Sequence, residues 1–394
     1  MKYKKMKKKK ILFVISYFLD GGVETVLIEY LRNLLKTKDY DLTLAIAYKI
    51  DEVEVYHNRI PKEVKVVYLV TNPILLKYKC RKPANKIIKL TDEIFINPIR
   101  RYVQSRNLHK LVKKADAVVD FISSQGSFLR KEKTNKIVFI HSAIEENYKR
   151  DPKEGEKQKR KIPTYNHIVT ISKAMYQEAC RFYPEVKDRI CMIYNSVDTD
   201  ELQRASEKLI ADERMEKPYI LSISRLEEYP KDFSTLIAAY ALLRKYYGHT
   251  EELYIIGKGP SLQQLQQKTI ECGVQDHVHF LGFMSNPYPY IKRCEIFVHS
   301  SQYEGLPTVM IEALLLDKMI VATDCPTGPR EILNGGKAGI LTPVGDIEAL
   351  AKAMHEALTD KKMQQQFAEG RAAHKRLFTF EANREAFCKL LESK

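Results

Sequence analysis

The sequence lacks the features that mark disulfide-rich, zinc-stabilised or membrane-spanning chains. Its seven cysteines are scattered, odd in number and contain no C-x-x-C pair, which argues against a disulfide framework and a zinc site. Its longest apolar runs, such as "ILFVIS", fall far short of the roughly 18 residues that a membrane-spanning helix needs. The basic start of the chain has no small-residue cleavage site after its apolar run. We therefore expect a cytoplasmic chain whose first apolar run is a buried strand.

Basic charge is confined to the first half of the chain. Residues 1–200 carry 41 lysines and arginines against 24 acids, net +17, whereas the remainder is net −2. A half with this positive charge could bind nucleic acid, an anionic membrane face or a phosphorylated substrate. The stretch "IRRYVQSRNLHKLVKK" mixes Arg100, Arg101, Lys113 and Lys114 with apolar residues. It fits a membrane-surface helix or a basic helix covering a sheet, and the sequence leaves both open.

Short apolar runs alternate with longer amphipathic ones along the chain, which at 394 residues and 44% hydrophobic content is long enough for two domains. Continuous apolar strands separated by helices predict an α/β fold with parallel sheets covered on both faces. The predicted strands are "ILFVIS", "DLTLAIAY", "VKVVYLV", "AVVDFIS", "KIVFIH", "HIVTIS", "ICMIYN", "YILSIS", "ELYIIG", "HVHFLG", "EIFVHSS" and "MIVATD".

The charged, strandless stretch between Asn195 and Met215 predicts the domain boundary. We expect a basic N-terminal domain at 1–198, a second domain at 199–372 and a C-terminal helix at 373–394. Ligands of such sheets bind at the carboxyl ends of the strands.

Groups suited to an anion follow several strands of the second half. Arg225 and Lys231 share one loop after "YILSIS" and could clasp a diphosphate. Gly257 and Gly259 end the strand of "LYIIGKGP" and would let backbone approach a phosphate. This is not a dinucleotide fingerprint, because Leu262 replaces the third glycine.

Two acids flank a helix start in "SQYEGLPTVMIEALLLDK". Glu304 precedes Leu306 and Pro307, a proline favoured at the beginning of a helix, and Glu312 lies within that helix. Eight residues at a helical rise span about 12 Å, whereas retaining glycosidases need two carboxyl groups about 5–5.5 Å apart. The pair is therefore predicted to bind hydroxyl groups of a ligand whose anionic part lies at the start of the helix.

The acids of "DTD", Asp198 and Asp200, look like a metal-binding motif. They follow Asn195 in the predicted linker and do not follow a strand, so we interpret them as loop residues. The loop "TDCPTGPREIL" with Glu331 follows the strand "MIVATD".

Five elements in one order resemble the retaining glycosyltransferases of family four: "DGGVE", Arg225 with Lys231, "IIGKGP", the E-x7-E pair and "TDCPTGPREIL". The resemblance is strong from Tyr219 to Val344 and looser before that. It implies the GT-B fold, in which two Rossmann-like domains face each other across a cleft and a C-terminal helix crosses back to the N-terminal domain.

The resemblance also implies residue roles. Arg225 and Lys231 would neutralise the donor diphosphate in place of a metal, so neither a metal nor another cofactor is expected. Glu312 would bind the ribose and Glu304 the transferred sugar. The other implied donor-site residues are Gly21 and Gly22 at the sugar phosphate, His141 at the reacting face, Phe283 near the base, and Gly257, Gly259, Leu306, Pro307 and Thr308 around the phosphates.

The implied function is retaining transfer of a hexose or N-acetylhexosamine from a nucleotide sugar, with UDP as the expected nucleotide. The acceptor would be a growing glycan on a polyprenyl diphosphate, made for a capsule, exopolysaccharide or O-antigen. The enzyme would be cytoplasmic and peripheral to an anionic membrane, without nucleic acid as a partner. Two alternatives stay open: a nucleotide-sugar epimerase of the same fold, and a basic protein that binds nucleic acid or anionic surfaces.

Overall fold

The computed structural model describes residues 8–19, 21–50, 57–79, 85–210 and 212–393. The chain forms two compact units. The first comprises Met1–Ile171, Tyr176–Ile193 and Arg384–Lys394, and the second comprises Ser172–Met175 and Tyr194–Asn383.

A parallel sheet of seven strands is built from described residues of the first unit, in the order β3-β2-β1-β4-β5-β6-β7. These strands are β1 Lys9–Ile15, β2 Tyr40–Tyr48, β3 Lys65–Val70, β4 Ala117–Asp120, β5 Asn135–Ile140, β6 His167–Thr170 and β7 Ile190–Met192. Their core residues alternate little between polar and apolar, because both faces of a parallel sheet are covered.

Described residues of the second unit form a parallel sheet of six strands in the order β10-β9-β8-β11-β12-β13. These strands are β8 Tyr219–Ile223, β9 Glu252–Ile256, β10 Val278–Gly282, β11 Ile296–His299, β12 Met319–Thr323 and β13 Ile340–Thr342. The strand order reverses direction between β8 and β11, as it does between β1 and β4 in the first unit. Such switch points are where open α/β sheets bind ligands.

Helices connect the strands. They are α1 Gly22–Thr37, α2 Pro73–Leu76, α3 Lys86–Thr91, α4 Asn97–Val112, α5 Gly126–Leu129, α6 Ile144–Arg150, α7 Pro152–Lys161, α8 Lys173–Phe182, α9 Thr199–Ser206, α10 Glu228–Lys231, α11 Phe233–Tyr247, α12 Leu262–Glu271, α13 Tyr288–Arg293, α14 Thr308–Leu315, α15 Pro329–Ile332, α16 Ile347–Thr359, α17 Lys361–His374 and α18 Phe380–Glu392. A π-helical turn, Asp92–Ile96, joins α3 to α4.

The α/β class with two parallel sheets is confirmed, and the twelve predicted apolar runs all contain strands. The strand β13 was not predicted, because the three residues of "ILT" are too short to show a pattern. The last residues of α18 belong to the first unit, as predicted for the C-terminal helix. There Phe387 packs against Phe13, Tyr30 and Phe139 in a cluster of aromatic rings.

The unit boundary differs from the predicted one. The chain passes to the second unit at Tyr194, before residue 198, because the Tyr194 hydroxyl donates to Glu331 at 2.5 Å and Val197 pairs with Thr379. Residues 373–383, which we assigned to a separate C-terminal segment, remain with the second unit.

The basic stretch 99–114 lies mostly in α4, and its first arginine is not a surface residue. Arg100 is 2% exposed; its Nε donates to the Leu75 carbonyl and its guanidinium pairs with Asp92, both at 2.6 Å. The adjoining basic stretch 77–89 includes residues 80–84, which lie outside the described residues, as do Lys2, Lys4, Lys5 and Lys7 of the N-terminal run. No described helix is both long and apolar enough to cross a membrane.

Candidate donor-binding site

The strongest cluster of predicted residues lies at the switch point of the second sheet. There β8 leads into the Arg225 loop and β11 ends at His299, just before the Glu304 loop. Two hydrogen bonds tie these neighbouring loops together, from the Gln302 amide to the Pro230 carbonyl at 2.8 Å and from the Ser300 hydroxyl to the Lys231 carbonyl at 3.0 Å. The two loops are thus held as one structure.

Three donors converge on one oxygen of Glu304. Its Oε1 accepts from Lys231 Nζ at 2.6 Å, His299 Nε2 at 2.9 Å and Ser301 Oγ at 2.7 Å. The Lys231 and Glu304 side chains are only 13% and 10% exposed. Burial alone would raise the Glu304 pKa, but the Lys231 ammonium and the His299 hydrogen bond outweigh it and hold the pKa well below its usual range. Glu304 is therefore an ionised carboxylate.

The second oxygen of Glu304 is available. Among the described residues no donor is bonded to Oε2, while Oε1 is fully occupied. A further hydrogen bond fixes the backbone of this loop, from the Thr327 hydroxyl to the Glu304 carbonyl. The carboxylate is therefore fixed in position with one oxygen left to accept a hydrogen bond from a ligand hydroxyl.

The two cations predicted to clasp a diphosphate have different surroundings. Lys231 is buried against Glu304, whereas the Arg225 side chain is 60% exposed and its Nη1 lies 3.1 Å from Glu227 Oε1. Arg225 remains on the loop after β8, where a ligand could recruit it. Of these two cations, only Lys231 contacts the Glu304 carboxylate in the described part of the chain.

Gly257 and Gly259 have a packing role that the sequence did not indicate. A Cβ on Gly257 would lie 1.9 Å from the Ser224 carbonyl oxygen, and one on Gly259 would lie 2.3 Å from the Leu226 carbonyl oxygen. Gly257 also has a φ of +153°, which disfavours side chains. The two glycines therefore let the Arg225 loop lie directly on the end of β9. Their close approach to a phosphate stays a prediction.

The second acid, Glu312, lies on α14 and is 6% exposed. Its Oε1 accepts a hydrogen bond from the Tyr288 hydroxyl at 3.2 Å. The helix itself begins at Thr308, with Pro307 just outside it as the N-cap. Pro307 offers no side-chain cap. The Met310 amide already donates to the Pro307 carbonyl at 3.0 Å, so the N–H groups of Thr308 and Val309 are the ones that keep their capacity to bind an anion.

Neighbouring residues support this helix start. Leu306 is buried and its carbonyl accepts from Asn195 Nδ2 at 3.4 Å. Gly328, at a φ of +92°, lies so close that a Cβ there would meet Pro307 Cδ at 2.6 Å. The "TDCPTGPREIL" loop thus buttresses the Glu304 loop. The same loop contains Glu331. Unlike Glu304, it has no open carboxylate oxygen, because both of its oxygens accept from the Lys173 amide at 2.9 Å.

Phe283 follows Gly282 at the end of β10. The Lys258 ammonium lies 5.0 Å from the centroid of its ring, within cation–π range. An aromatic face at this strand end is chemically suited to a nucleobase. Asp198, by contrast, caps α9 by accepting from the Glu201 amide at 3.2 Å. Asp200 lies in the first turn of that helix and not in a loop, as we had interpreted it.

In the first unit, Gly21 is the N-cap of α1 and Gly22 its first residue; the preceding Asp20 lies outside the described residues. The Glu24 side chain folds back over this turn, where Oε1 accepts from the Leu19 amide at 3.2 Å. Its Oε2 would lie 2.7 Å from a Cβ on Gly21. A phosphate at this turn would therefore have to displace a carboxylate.

His141 follows β5 and lies between two aromatic rings, 4.8 Å from Phe121 and 5.7 Å from Phe139 by centroid. Both ring nitrogens are shielded from solvent and have no hydrogen-bond partner among the described residues. Burial lowers its pKa to about 4, against a smaller opposing effect of the Phe121 backbone. His141 is therefore a neutral imidazole at pH 7.

Sequence reasoning missed several residues of the cluster. His299, Ser301, Tyr288 and Thr327 all bond to one of the two acids. The available signal was the run of three polar residues, His299 to Ser301, that directly follows the apolar residues of β11 in "IFVHSS". Tyr288 had no such signal, since no local pattern marks it, and Thr327 lies in the "TDCPTGPREIL" loop, where no role was predicted for it. The described residues contain no group of three or more His, Cys, Asp or Glu placed to hold a metal.

Part of the chain resembles a known family, and the chain has curated relatives. Residues 203–374 match the family model "Glycosyl transferases group 1". The chain is 25% identical over 356 residues to the N-acetylgalactosamine-N,N'-diacetylbacillosaminyl-diphospho-undecaprenol 4-alpha-N-acetylgalactosaminyltransferase of Campylobacter jejuni, covering 88% of this chain and 90% of that one.

Two solved structures share the fold. A mutant of S. aureus TarM in complex with fondaparinux, alpha-GlcNAc-glycerol and UDP has a TM-score of 0.77 at 14% identity and covers 98% of this chain and 100% of its own. HepE of Anabaena with UDP and glucose has a TM-score of 0.72 at 17% identity, with the same coverage. Together these similarities support a glycosyltransferase of the GT-B fold.

Proposed function

We propose that this protein is a retaining glycosyltransferase that moves a hexose or N-acetylhexosamine from a nucleotide sugar to a glycan carried on a polyprenyl diphosphate. The observation that carries the proposal is the ionised, buried Glu304, bound by Lys231 and with Oε2 open to a hydroxyl, just before the uncapped start of α14. The names of the relatives support the substrate classes: the Campylobacter relative is named for a diphospho-undecaprenol acceptor, and TarM and HepE were solved with UDP.

The second unit would bind the donor. Lys231, joined by Arg225 when the ligand is present, would neutralise the diphosphate, and the N–H groups at Leu306 and Thr308 would donate to it. Glu312 would accept from the ribose, Glu304 Oε2 from the sugar, and the Phe283 ring would lie against the base. Such a site would stabilise a diphosphate with two cationic side chains in place of a metal.

The reaction would be an attack on the anomeric carbon from the face that the diphosphate leaves. The acceptor hydroxyl oxygen forms the new bond to that carbon, the bond from carbon to diphosphate oxygen breaks, and the departing diphosphate takes the hydroxyl proton. Lys231 and Arg225 would then hold negative charge that develops as the bond breaks, which is the kind of electrostatic support that contributes most to catalysis. His141, as a neutral imidazole, stays the predicted contact of the transferred sugar.

The acceptor implies a location. A glycan on a polyprenyl diphosphate is anchored in a membrane, so the proposed enzyme would act as a peripheral protein on the cytoplasmic face, in the synthesis of a cell-surface polysaccharide. The first unit, which carries the excess positive charge, would bind the acceptor.

The test is a thermal-shift screen of nucleotide sugars on the full chain, because a ligand that binds only the folded state stabilises it by mass action. A UDP-sugar should raise the melting temperature, and the product formed with an acceptor should keep the donor's anomeric configuration. Turnover should persist in a chelator. Inverted product, abolition by chelator with rescue by manganese, or consumption of the nucleotide sugar without any acceptor would each contradict the proposal.

A further inference from the structure

One long helical segment of the first unit has a buried face and an exposed apolar face. It comprises α3, the π-helical turn and α4, and runs from Lys86 to Val112. The Asn85 side chain caps its start by accepting from the Ile88 amide at 2.9 Å. These 27 residues are the subject of the inference and are called the surface helix below.

The second half of the surface helix is fixed to the unit along one row. Arg100, Gln104, Leu108 and Val112 are at most 2% exposed and follow one another at four-residue spacing, which places them on a single face. Gln104 accepts from the Tyr48 hydroxyl and donates to Gln125 Oε1, both at 2.8 Å. This anchoring determines which way the opposite face points.

The opposite face is apolar and uncovered. Of the large hydrophobic side chains that are exposed among the described residues, nearly half lie between residues 74 and 102. Those on the surface helix are 52–75% exposed and are Ile87, Leu90, Ile94, Phe95, Ile99 and Tyr102. The first half, 86–96, has no buried residue at all within its described range. Packing against the described residues therefore does not explain these side chains.

The π-helical turn keeps the exposed side chains in one row. A π turn adds one residue to a helix. Because of the extra residue, the side chain that follows Leu90 on the same face is Phe95, five positions later. Ile99 and Tyr102 then continue the row at normal helical spacing. Without the extra residue the row would continue through Pro98. The helix thus presents a single apolar stripe about fifteen residues long.

Basic residues flank this stripe. Between residues 86 and 112 the sequence has six lysines and arginines against two acids. Both acids are already paired, Asp92 with the buried Arg100 at 2.6 Å and Glu93 with Lys89 at 3.9 Å. Lys86, Arg106 and Lys110 are exposed. Apolar side chains with a cationic rim are the combination that binds an anionic lipid surface.

We propose that the surface helix lies in the plane of an anionic bilayer, with the stripe from Ile87 to Tyr102 at the boundary between headgroups and acyl chains. The cations of the rim would bind the lipid phosphates. A second copy of the chain fits this face less well, because an isologous contact would bring two basic rims together. The inference rests on the proposed function in one respect, that a lipid-linked acceptor is met at the membrane.

The test measures binding of the full chain to vesicles by flotation, with phosphatidylcholine alone and with added phosphatidylglycerol. The apolar variant combines Phe95→Ser with Ile99→Ser, and a matched control combines Leu209→Ser with Ile270→Ser, which are exposed in the second unit. The apolar variant should lose about tenfold or more in binding, since two large apolar side chains no longer leave water, and the control should bind like the unaltered chain. Lys86→Glu with Arg106→Glu should lose binding only where phosphatidylglycerol is present.

Equal vesicle binding by the apolar variant and the control would overturn the inference, and so would an unaltered chain that ignores anionic vesicles. If the apolar variant instead converts a dimer to a monomer in solution, the face is an interface between copies and the inference is wrong. Stabilisation by a UDP-sugar is measured on the same samples. Vesicle binding without nucleotide-sugar binding would leave this inference standing while the proposed function fails.

Discussion

The candidate functional groups of the two units differ in charge and in hydrogen bonding. In the second, Glu304 is charged, and Lys231, His299 and Ser301 all bond to one of its oxygens. In the first, His141 is neutral and its ring nitrogens have no partner among the described residues, with two phenylalanine rings beside it. In the second unit, the charges of Lys231 and Glu304 neutralise each other and hold both side chains in place. Removing one of these charges would leave the other buried without its partner. The first unit keeps a polar group in an apolar setting.

The largest effect is expected from breaking the ion pair of the second unit. Lys231→Met leaves Glu304 as a buried carboxylate without its cation, which should lower the free energy of unfolding by about 3–5 kcal/mol. Transfer should fall by about two to three orders of magnitude, because the diphosphate also loses a fixed cation. Chemical unfolding and initial rates measure the two effects.

A double variant separates stability from catalysis in this pair. Adding Glu304→Gln to Lys231→Met removes the uncompensated charge, so stability should largely return while transfer stays low. Recovery of both together would mean that Lys231 serves only to hold Glu304.

A smaller difference should separate one glycine in each unit. Gly257→Ala places a Cβ against the Ser224 backbone at a positive φ and should cost about 3 kcal/mol of unfolding free energy. Gly21→Ala meets only the end of the Glu24 side chain and should cost less than about 1 kcal/mol. Urea unfolding compares them, and equal losses would show that the Arg225 loop does not depend on this close packing.

The smallest expected effect concerns the neutral histidine of the first unit. Because burial lowers the His141 pKa to about 4, the unfolded chain binds its proton first as the pH falls. Stability is therefore fully present above pH 6.5 and declines below it, by about 2 kcal/mol between pH 6.5 and 5. His141→Phe should lack this part of the decline. The Glu304 contribution is lost only at lower pH, since its pKa is held down. Parallel pH curves for the two proteins would show that His141 is not buried as a neutral group.

The sequence predicted the strands well and the site only in outline. Apolar runs such as "ILFVIS" have no alternative but burial, so all twelve predicted runs contain strands. The E-x7-E pair and the Lys231 loop were found because they are local patterns. The partners His299 and Tyr288 were not, because nothing local shows that the end of β11 will contact Glu304 or that the start of α13 will contact Glu312.

Three predicted residues have contacts that the sequence did not show. Arg100 was grouped with the other cations of its basic stretch, but it is buried and bonds to Leu75 and Asp92. Gly257 was explained by a phosphate and is already required by the Ser224 backbone. A phosphate was expected over Gly21, and the Glu24 carboxylate occupies that side of the turn. Each depends on contacts between distant segments, which spacing does not reveal.

The central claim is that the two acids of the second unit bind different parts of one nucleotide sugar, and calorimetric titration of two variants tests it most directly. Glu312→Gln should weaken binding of UDP itself, by about 1–2 kcal/mol for each hydrogen bond to the ribose that loses its charged acceptor. Glu304→Gln should leave UDP affinity unchanged, weaken the intact UDP-sugar and slow transfer by about one to two orders of magnitude through misplacement of the reacting carbon. If Glu304→Gln loses UDP affinity as severely as Glu312→Gln, or if neither variant changes transfer, the assignment of ribose to Glu312 and sugar to Glu304 is wrong.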